Sequence, residues 1–441
     1  MKFFDREDKI ARLREIRDRS RNEAQFTVVT GRRRIGKTEL VKRALGDRDF
    51  VYLFVSRKSE ADLVSDFVEE FNRVVPDAVS PEIRTLQGFF REVFKVAQLQ
   101  PVTVFIDEFQ DFYRVNPSAF SILQGLWDRE HGNARLNLVV CGSINSLVSR
   151  IFLNRKEPLY GRQTAFMRVE AFSVEVMKDI LRHYKRAFTP ADLLALWSFT
   201  GGVAKYVALM MDAGATDFES MLKVAVSEDS FFLEEGRILL GDEFGRDYAV
   251  YFSILSAIAR GVTTRNEIEQ TVGRAVGGHL TRLEDDYHLV SRRLPFGAKT
   301  TRLVRYQIED PFYRFWFRFV FRHDGLVQMK AFEMLRKFVR RDYPVFSGLA
   351  LESLMRKKMS ESGEWSRIGN WWDRKGENEI DLIAQNELED VCLVAEVKRD
   401  RRRLDLTLLR EKFEHCRPML GLAKSVKVEF KGLSPDDLVC L

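Results

Sequence analysis

Two sets of residues in this 441-residue chain have the types and spacing for phosphate chemistry. The first is Gly31-Arg32-Arg33-Arg34-Ile35-Gly36-Lys37-Thr38, which fits the phosphate-loop pattern G-x-x-x-x-G-K-[ST]. Gly31 and Gly36 permit the turns that aim successive N–H groups at phosphate oxygens. Lys37 supplies a point charge for β- and γ-phosphates, and the Thr38 hydroxyl is a ligand for Mg²⁺. Glu39 opens the helix whose positive dipole end adds to the cradle. The second set lies near the other end of the chain: Asp381, and fifteen positions on, Glu396-Val397-Lys398. Acids beside a lysine suit a hard divalent cation and an activated water.

The elements that must position the first set are legible around it. Gln25-Phe26-Thr27-Val28-Val29-Thr30 is a β-rich run before the loop, and Glu39-Leu40-Val41-Lys42-Arg43-Ala44-Leu45 is a helix pattern after it. A phosphate loop also needs a carboxylate for its metal. Val102-Thr103-Val104-Phe105-Ile106-Asp107-Glu108 is an apolar strand that ends in two acids. Asp107 would hold Mg²⁺, directly or through water, and Glu108 would polarise the water that attacks the γ-phosphate. The plain alternative is a strand followed by an acidic turn. Leu136–Ser143 gives a third buried-strand pattern that ends in small polar residues. Two cations follow, Arg162 after Tyr160-Gly161 and Lys205 after Gly201-Gly202. Either would stabilise transition-state charge, in cis or from a neighbouring subunit, or would be a solvated surface cation.

Phe4-Asp5-Arg6-Glu7, the loop at 31–38, Asp107-Glu108-Phe109-Gln110, Gly142-Ser143, Tyr160-Gly161-Arg162 and Gly201-Gly202 occur in this order. Together they resemble the archaeal-type ATPases, a branch of the AAA/STAND P-loop ATPases. The resemblance implies a parallel sheet flanked by helices, ATP with Mg²⁺, and a helical lid around residues 170–235. In the AAA-type arrangement a polar side chain at the third strand's end senses the γ-phosphate, which points to Ser143, with Asn145 in reserve. The chain departs from the family where Pro often follows the Gly-Gly pair and it has Ala204.

Downstream, Tyr251–Ala259, a restart at Thr263–Ile268, and Ala275–Tyr287 read as three helices. Residues 288–297 and 302–308 read as two strands joined by a turn. Three helices and a β-wing make a winged helix-turn-helix. Arg274, His279 and Arg282 on its third helix, and Arg292, Arg293 and Lys299 on its wing, could meet DNA phosphates. Glu284, Asp285 and Asp286 on the same helix dilute that charge, and such a domain can equally be a docking module. Asp310–Phe321 is strongly aromatic, and with no polar face it reads as packing between domains rather than as a stacking platform.

In the last segment, Asn378–Ala384 and Cys392–Lys398 read as two strands. Residues at i and i+2 share a face, so Glu396 and Lys398 point together, and a hairpin brings Asp381 beside them. Glu352, on the helical stretch Leu349–Lys358, could face the same point. This constellation resembles the PD-(D/E)xK nuclease superfamily. The resemblance implies a metal held by Glu352, Asp381 and Glu396, with Lys398 orienting or deprotonating the nucleophile. Arg399, Arg401, Arg402 and Arg403 follow at once and could hold a phosphate backbone. A surface hairpin, or a nuclease fold without cleavage, are the alternatives.

Composition is that of an ordinary globular protein, with 45% hydrophobic and 31% charged residues, net charge +6 and pI near 9.0. The basic bias is compatible with nucleic acid. Four scattered cysteines without a C-x-x-C pair argue against a zinc site or disulfide framework. No apolar run approaches a membrane span and the charged N-terminus lacks a signal-peptide core, so a cytoplasmic location is expected. The expected fold is α/β in four parts: a P-loop ATPase core at 1–170, a helical lid at 171–240, a winged helix at 241–325, and an α/β restriction-endonuclease-like domain at 326–441. The expected function is ATP hydrolysis coupled to a C-terminal part that binds or cuts nucleic acid, DNA before RNA. A nucleotide-dependent DNA-binding regulator and a STAND-like switch are the alternatives, and a homo-oligomer stays open.

Overall fold

The computed structural model describes residues 1–46, 50–142, 145–244, 247–298, 303–423 and 425–440. Ser143, Lys299 and Arg302 lie outside the described residues, as does the side chain of Asn145. The chain forms two compact units, one of Asp5–Glu170 and one of Met1–Phe4 with Ala171–Leu441.

The first unit is built on β1 (Gln25–Thr30), β2 (Val51–Phe54), β3 (Val102–Asp107), β4 (Leu136–Gly142) and β5 (Ala165–Arg168). All neighbours are parallel, in the order β2-β3-β4-β1-β5. The three central strands read as near-continuous apolar runs because helices cover both faces of a parallel sheet. On one face Phe26, Val28, Val104, Ile106, Leu138 and Val140 share a core with Phe67, Phe71, Phe89 and Phe112. Truncating one of these phenylalanines to Ala would cost about 3–5 kcal/mol. The helices that carry them follow from sequence. Glu60–Val74 begins at Ser59, whose side chain accepts from the Asp62 N–H, and buries Leu63, Val64, Phe67, Val68 and Phe71 along one stripe.

Helix Lys37–Leu45 packs beside helix Glu7–Arg19. The last carbonyls of Lys37–Leu45 have no intrahelical donors. Arg14 Nε reaches Ala44 O at 3.3 Å and Arg17 Nη1 reaches Leu45 O at 2.7 Å. These guanidinium groups cap the helix's negative end, and so fix the helix that starts at the phosphate loop.

The second unit holds helices Val174–Tyr184, Pro190–Thr200, Ala204–Asp212, Phe218–Ala225 and Phe231–Phe244. Pro190–Thr200 starts with a Thr189–Asp192 capping box and a proline, and is buried from Asp192 to Thr200. Helices Tyr248–Ala259, Arg265–Val272 and Gly277–Asp285 follow, then the antiparallel pair β6 (Val290–Arg293) and β7 (Arg305–Ile308). These elements are shorter than the sequence pattern predicts, because Val276 and Asp286 close the third helix and only four residue pairs join the strands.

The aromatic segment is buried in helix packing, as its lack of a polar face predicts, but inside one compact unit rather than between two. Phe315 meets Phe199 with centroids 4.7 Å apart, Trp316 meets Phe252 at 5.9 Å, and Trp316 Nε1 donates to Leu233 O at 2.8 Å. These contacts tie helices from the expected lid and winged-helix segments together, and residues 171–441 pack as one unit.

Helix Phe332–Ser362 then leads to a sheet of β8 (Arg367–Trp372), β9 (Glu379–Asn386), β10 (Val391–Val397) and β11 (Lys427–Leu433), ordered β11-β10-β9-β8. The β10–β11 pair is parallel and the others antiparallel. Helix Leu406–Cys416 contributes Leu409, Phe413 and Cys416 to the core with Ile380, Ile383, Cys392 and Val394.

Candidate functional site

The loop at 31–38 leaves the carboxyl end of β1, where ligands bind in open α/β sheets. Gly31 has φ 150, and a Cβ there would stand 2.3 Å from Val169 O. Gly36 (φ 88) and Arg34 (φ 69) are left-handed, the conformation glycine adopts without strain and arginine only at a cost. Ile35 is buried and anchors the loop, whereas the Arg34 side chain is exposed. Lys37 is buried, and its Nζ donates to Gly31 O and Arg32 O at 2.9 Å each. Burial pulls the Lys37 ammonium below its ordinary value. The Cys141 sulfur, Glu108 and Asp107 oppose that pull, and burial keeps the Cys141 thiol protonated by raising it well above its ordinary value. The two carboxylates are therefore the effective counter-charges.

Asp107 ends β3 beside the loop. Its Oδ2 accepts from Thr38 Oγ1 at 2.7 Å and from Tyr52 OH at 3.2 Å, and its Oδ1 from the Glu108 N–H at 2.9 Å. A hydroxyl and a carboxylate already in contact supply hard oxygen donors of the kind Mg²⁺ takes, so these residues fit that ion. Tyr52 also carries Lys42 Nζ 4.2 Å from its ring centroid. Burial and Asp107 push the Tyr52 phenol well above its ordinary value, so it stays a donor. Glu108 has φ 53 and accepts from Gln110 Nε2. Arg32 and Arg33 are half-buried. Glu39 pairs with Arg43 at 2.7 Å on the outer face of its helix, so only its backbone N–H is on offer to the loop.

Arg162 lies away from the phosphate loop of its own chain. It pairs with Asp128 at 3.1 Å, just ahead of the Thr164 N–H that donates to Phe26 O near the start of β1. That is the amino end of the sheet, and the phosphate loop is at the carboxyl end. The six residues of β1 separate them by roughly 20 Å at ~3.3 Å per residue, which excludes a contact in cis. Lys205 is exposed and belongs to the other unit. Tyr52 and Gln110 were missed as site residues: β2 shows no distinctive pattern, and Gln110 stood out only as part of the Asp-Glu-Phe-Gln run.

The C-terminal acids do meet. The register Leu382↔Ala395 carries Asp381 to the level of Glu396. Lys398 Nζ lies 3.1 Å from Asp381 Oδ2 and 3.3 Å from Glu396 Oε1. The Val397 N–H donates to Asp381 at 2.8 Å and the Asp405 N–H to Glu396 at 2.8 Å. Burial opposes the charge on Lys398, but Asp381 and Glu396 outweigh it and hold the ammonium above its ordinary value. Glu352 reaches the same cluster from helix Phe332–Ser362. Burial, then Asp381, raises its carboxyl to about 7 against the pull of Arg356 3.8 Å away. Among the described residues, however, no three His, Cys, Asp or Glu side chains are arranged to hold a metal ion. The expected set Glu352, Asp381 and Glu396 is gathered around a lysine and does not close on a metal-sized point.

The expected DNA-facing cations are largely paired. Arg292 meets Glu284 at 2.5 Å and Arg293 meets Glu309 at 2.7 Å, while His279 packs on the Tyr251 ring at 5.1 Å. Arg274 and Arg282 are exposed, as are Arg399, Arg401, Arg402 and Arg403, with Arg402 held by Asp400 at 2.9 Å. Among the described residues no helix is long and apolar enough to cross a membrane.

The five-stranded parallel sheet, the glycine-bounded loop, the buried Lys37 and the Thr38–Asp107 pair define a P-loop ATPase domain. Residues 3–210 match a family described as an ATPase domain predominantly from Archaea. Residues 316–408 match archaeal and bacterial proteins of unknown function. An uncharacterized protein of Methanocaldococcus jannaschii is 28% identical over 410 residues, covering 90% of this chain and 87% of the relative. The Walker-type ATPase of Pyrococcus abyssi has a similar structure, with TM-score 0.54 at 19% identity over 72% of this chain and 96% of that one. The ORC2 protein of Aeropyrum pernix, in its ADPNP–ADP complexes, gives TM-score 0.50 at 13% identity over 74% and 94%. At these identities the two structures show a shared fold.

Proposed function

We propose that the chain hydrolyses ATP at the loop 31–38 and that nucleotide state governs a C-terminal part acting on nucleic-acid phosphates. The observation that carries the ATP reading is the Thr38 hydroxyl bonded to Asp107 above a buried Lys37. Loop N–H groups cradle the phosphates, and Lys37 exchanges the carbonyls of Gly31 and Arg32 for the β- and γ-oxygens. Thr38 and Asp107 would hold Mg²⁺, which would neutralise charge on the transferring phosphoryl group. Glu108 aligns and polarises the attacking water. Lys37→Ala should abolish ATP turnover by the full chain, and unchanged turnover would sink this reading.

For the C-terminal part, support comes from the Asp381–Lys398–Glu396 bridge with Glu352 alongside, next to the exposed Arg399, Arg401, Arg402 and Arg403. An acid–lysine cluster beside an exposed basic run suits a phosphodiester. The lysine at the centre of the carboxylates favours a second reading, a nuclease-like fold that binds nucleic acid without cutting it. A cleavage assay with Mg²⁺, with and without ATP, separates the two. Cleavage by wild type that Lys398→Ala abolishes supports the nuclease. Salt-sensitive binding without cleavage supports the regulator.

A further inference from the structure

Glu108 does not stand alone at the end of β3. It follows the strand in the left-handed region, φ 53, which non-glycine residues occupy when their surroundings hold them there. Two positions on, Gln110 is 1% exposed and donates from Nε2 to Glu108 Oε2. The amide orientation is set by this contact, since a flipped amide would face its carbonyl toward a carboxylate.

The other end of the Gln110 amide sits under the last residue of β4. A Cβ on Gly142 would stand 2.6 Å from Gln110 Oε1 and 2.2 Å from Val148 Cγ2, so the backbone there approaches as only glycine allows. Among the described residues this buried Oε1 has no hydrogen-bond partner. Leucine or methionine would fill the same space without stranding a carbonyl. A glutamine that keeps such a cost is there for its amide.

We propose that Gln110 is a positioning residue for ATP hydrolysis, whose amide orients the Glu108 carboxylate toward the attacking water and links it to the end of β4. The proposal rests on the reading of Glu108 as the group that polarises this water. Gln110 acts through Glu108, so its loss affects turnover and leaves nucleotide binding alone. Its contact at Gly142 lies one residue before the position where the sequence anticipates a γ-phosphate sensor.

The test measures kcat and ATP affinity for the full chain, the latter with a fluorescent ATP analogue. The variants are Gln110→Leu, Gln110→Met, Glu108→Gln and the double variant Glu108→Gln with Gln110→Leu. Both apolar variants should lower kcat about tenfold or more at unchanged affinity. In the Glu108→Gln background, Gln110→Leu should lower kcat no further, because the two side chains act as one unit. Unchanged kcat in the apolar variants overturns the proposal, as does a loss that multiplies in the double variant. Wild-type turnover by Glu108→Gln alone removes the premise, and that single variant tells this failure from the others.

Discussion

The Thr38 hydroxyl and the Asp107 carboxylate, 69 residues apart in sequence, are hydrogen-bonded at 2.7 Å. β1 and β3 flank β4 and run parallel, so the loop after one and the acid ending the other emerge on the same edge. Both oxygens are hard donors that would hold Mg²⁺. Asp107→Asn keeps the shape and the hydrogen bond but removes the charge. It should lower kcat by a hundredfold or more, on the order of one lost electrostatic stabiliser, and abolish the gain in ATP affinity on adding Mg²⁺. Affinity measured in EDTA should match wild type, and an equal loss with and without Mg²⁺ would contradict the role.

Tyr52 donates to the same oxygen at 3.2 Å. Removing its hydroxyl leaves Asp107 with its other donors, so Tyr52→Phe should cost only a few-fold in kcat, about 1 kcal/mol for one hydrogen bond. The Mg²⁺ concentration for half-maximal turnover should rise in parallel. The phenol is held above its ordinary value, so it remains protonated throughout the working range and contributes no alkaline fall in the pH–rate profile. A titration of turnover against Mg²⁺ at pH 7 and pH 9 checks both statements.

Arg162 pairs with Asp128 at 3.1 Å, with about a third of its side chain exposed. An isolated partly exposed pair contributes about 0–1 kcal/mol. Arg162→Ala should therefore shift the melting temperature by a degree or two and leave turnover of the dilute single chain intact. If turnover rises with protein concentration and the variant loses that rise, the arginine serves a neighbouring copy instead. Activity against concentration for both proteins decides between these outcomes.

The candidate phosphate site is legible where fixed residue types carry fixed distances. The loop and Asp107 follow from local pattern, and the Glu396–Lys398 pairing follows from strand periodicity. The sequence leaves open whether Arg162 serves its own chain or a neighbour, because Tyr160-Gly161-Arg162 reads the same at either end of a strand. Only the β1–β5 register, Thr27↔Ala165, reveals that this turn precedes β5 at the far edge. Tyr52 escaped notice because its role needs β2 to lie next to β3, with Phe54 opposite Asp107. The approach of Glu352 to Asp381 was legible as a possibility on a helix face. The central place of Lys398 among the acids depends on side-chain placement that spacing alone does not fix.

Glu352 makes the stability of the second unit depend on pH. Its carboxyl titrates at about 7 in the folded chain, against an ordinary 4.5, with burial as the main cause and Asp381 next. Between these values the folded state keeps a proton that the unfolded state has released. Stability therefore falls as pH rises through this window, and the full penalty is present above pH 7. The shift corresponds to at most about 3 kcal/mol, and solvent reaching a fifth of the side chain reduces it. Glu352→Gln carries no such charge. It should melt close to wild type at pH 4.5 and above it at pH 8, with the difference developing across that interval. Thermal melts at both pH values check the sign, and a variant less stable than wild type at pH 8 would mean that the ion pair with Arg356 outweighs the cost of burying the charge.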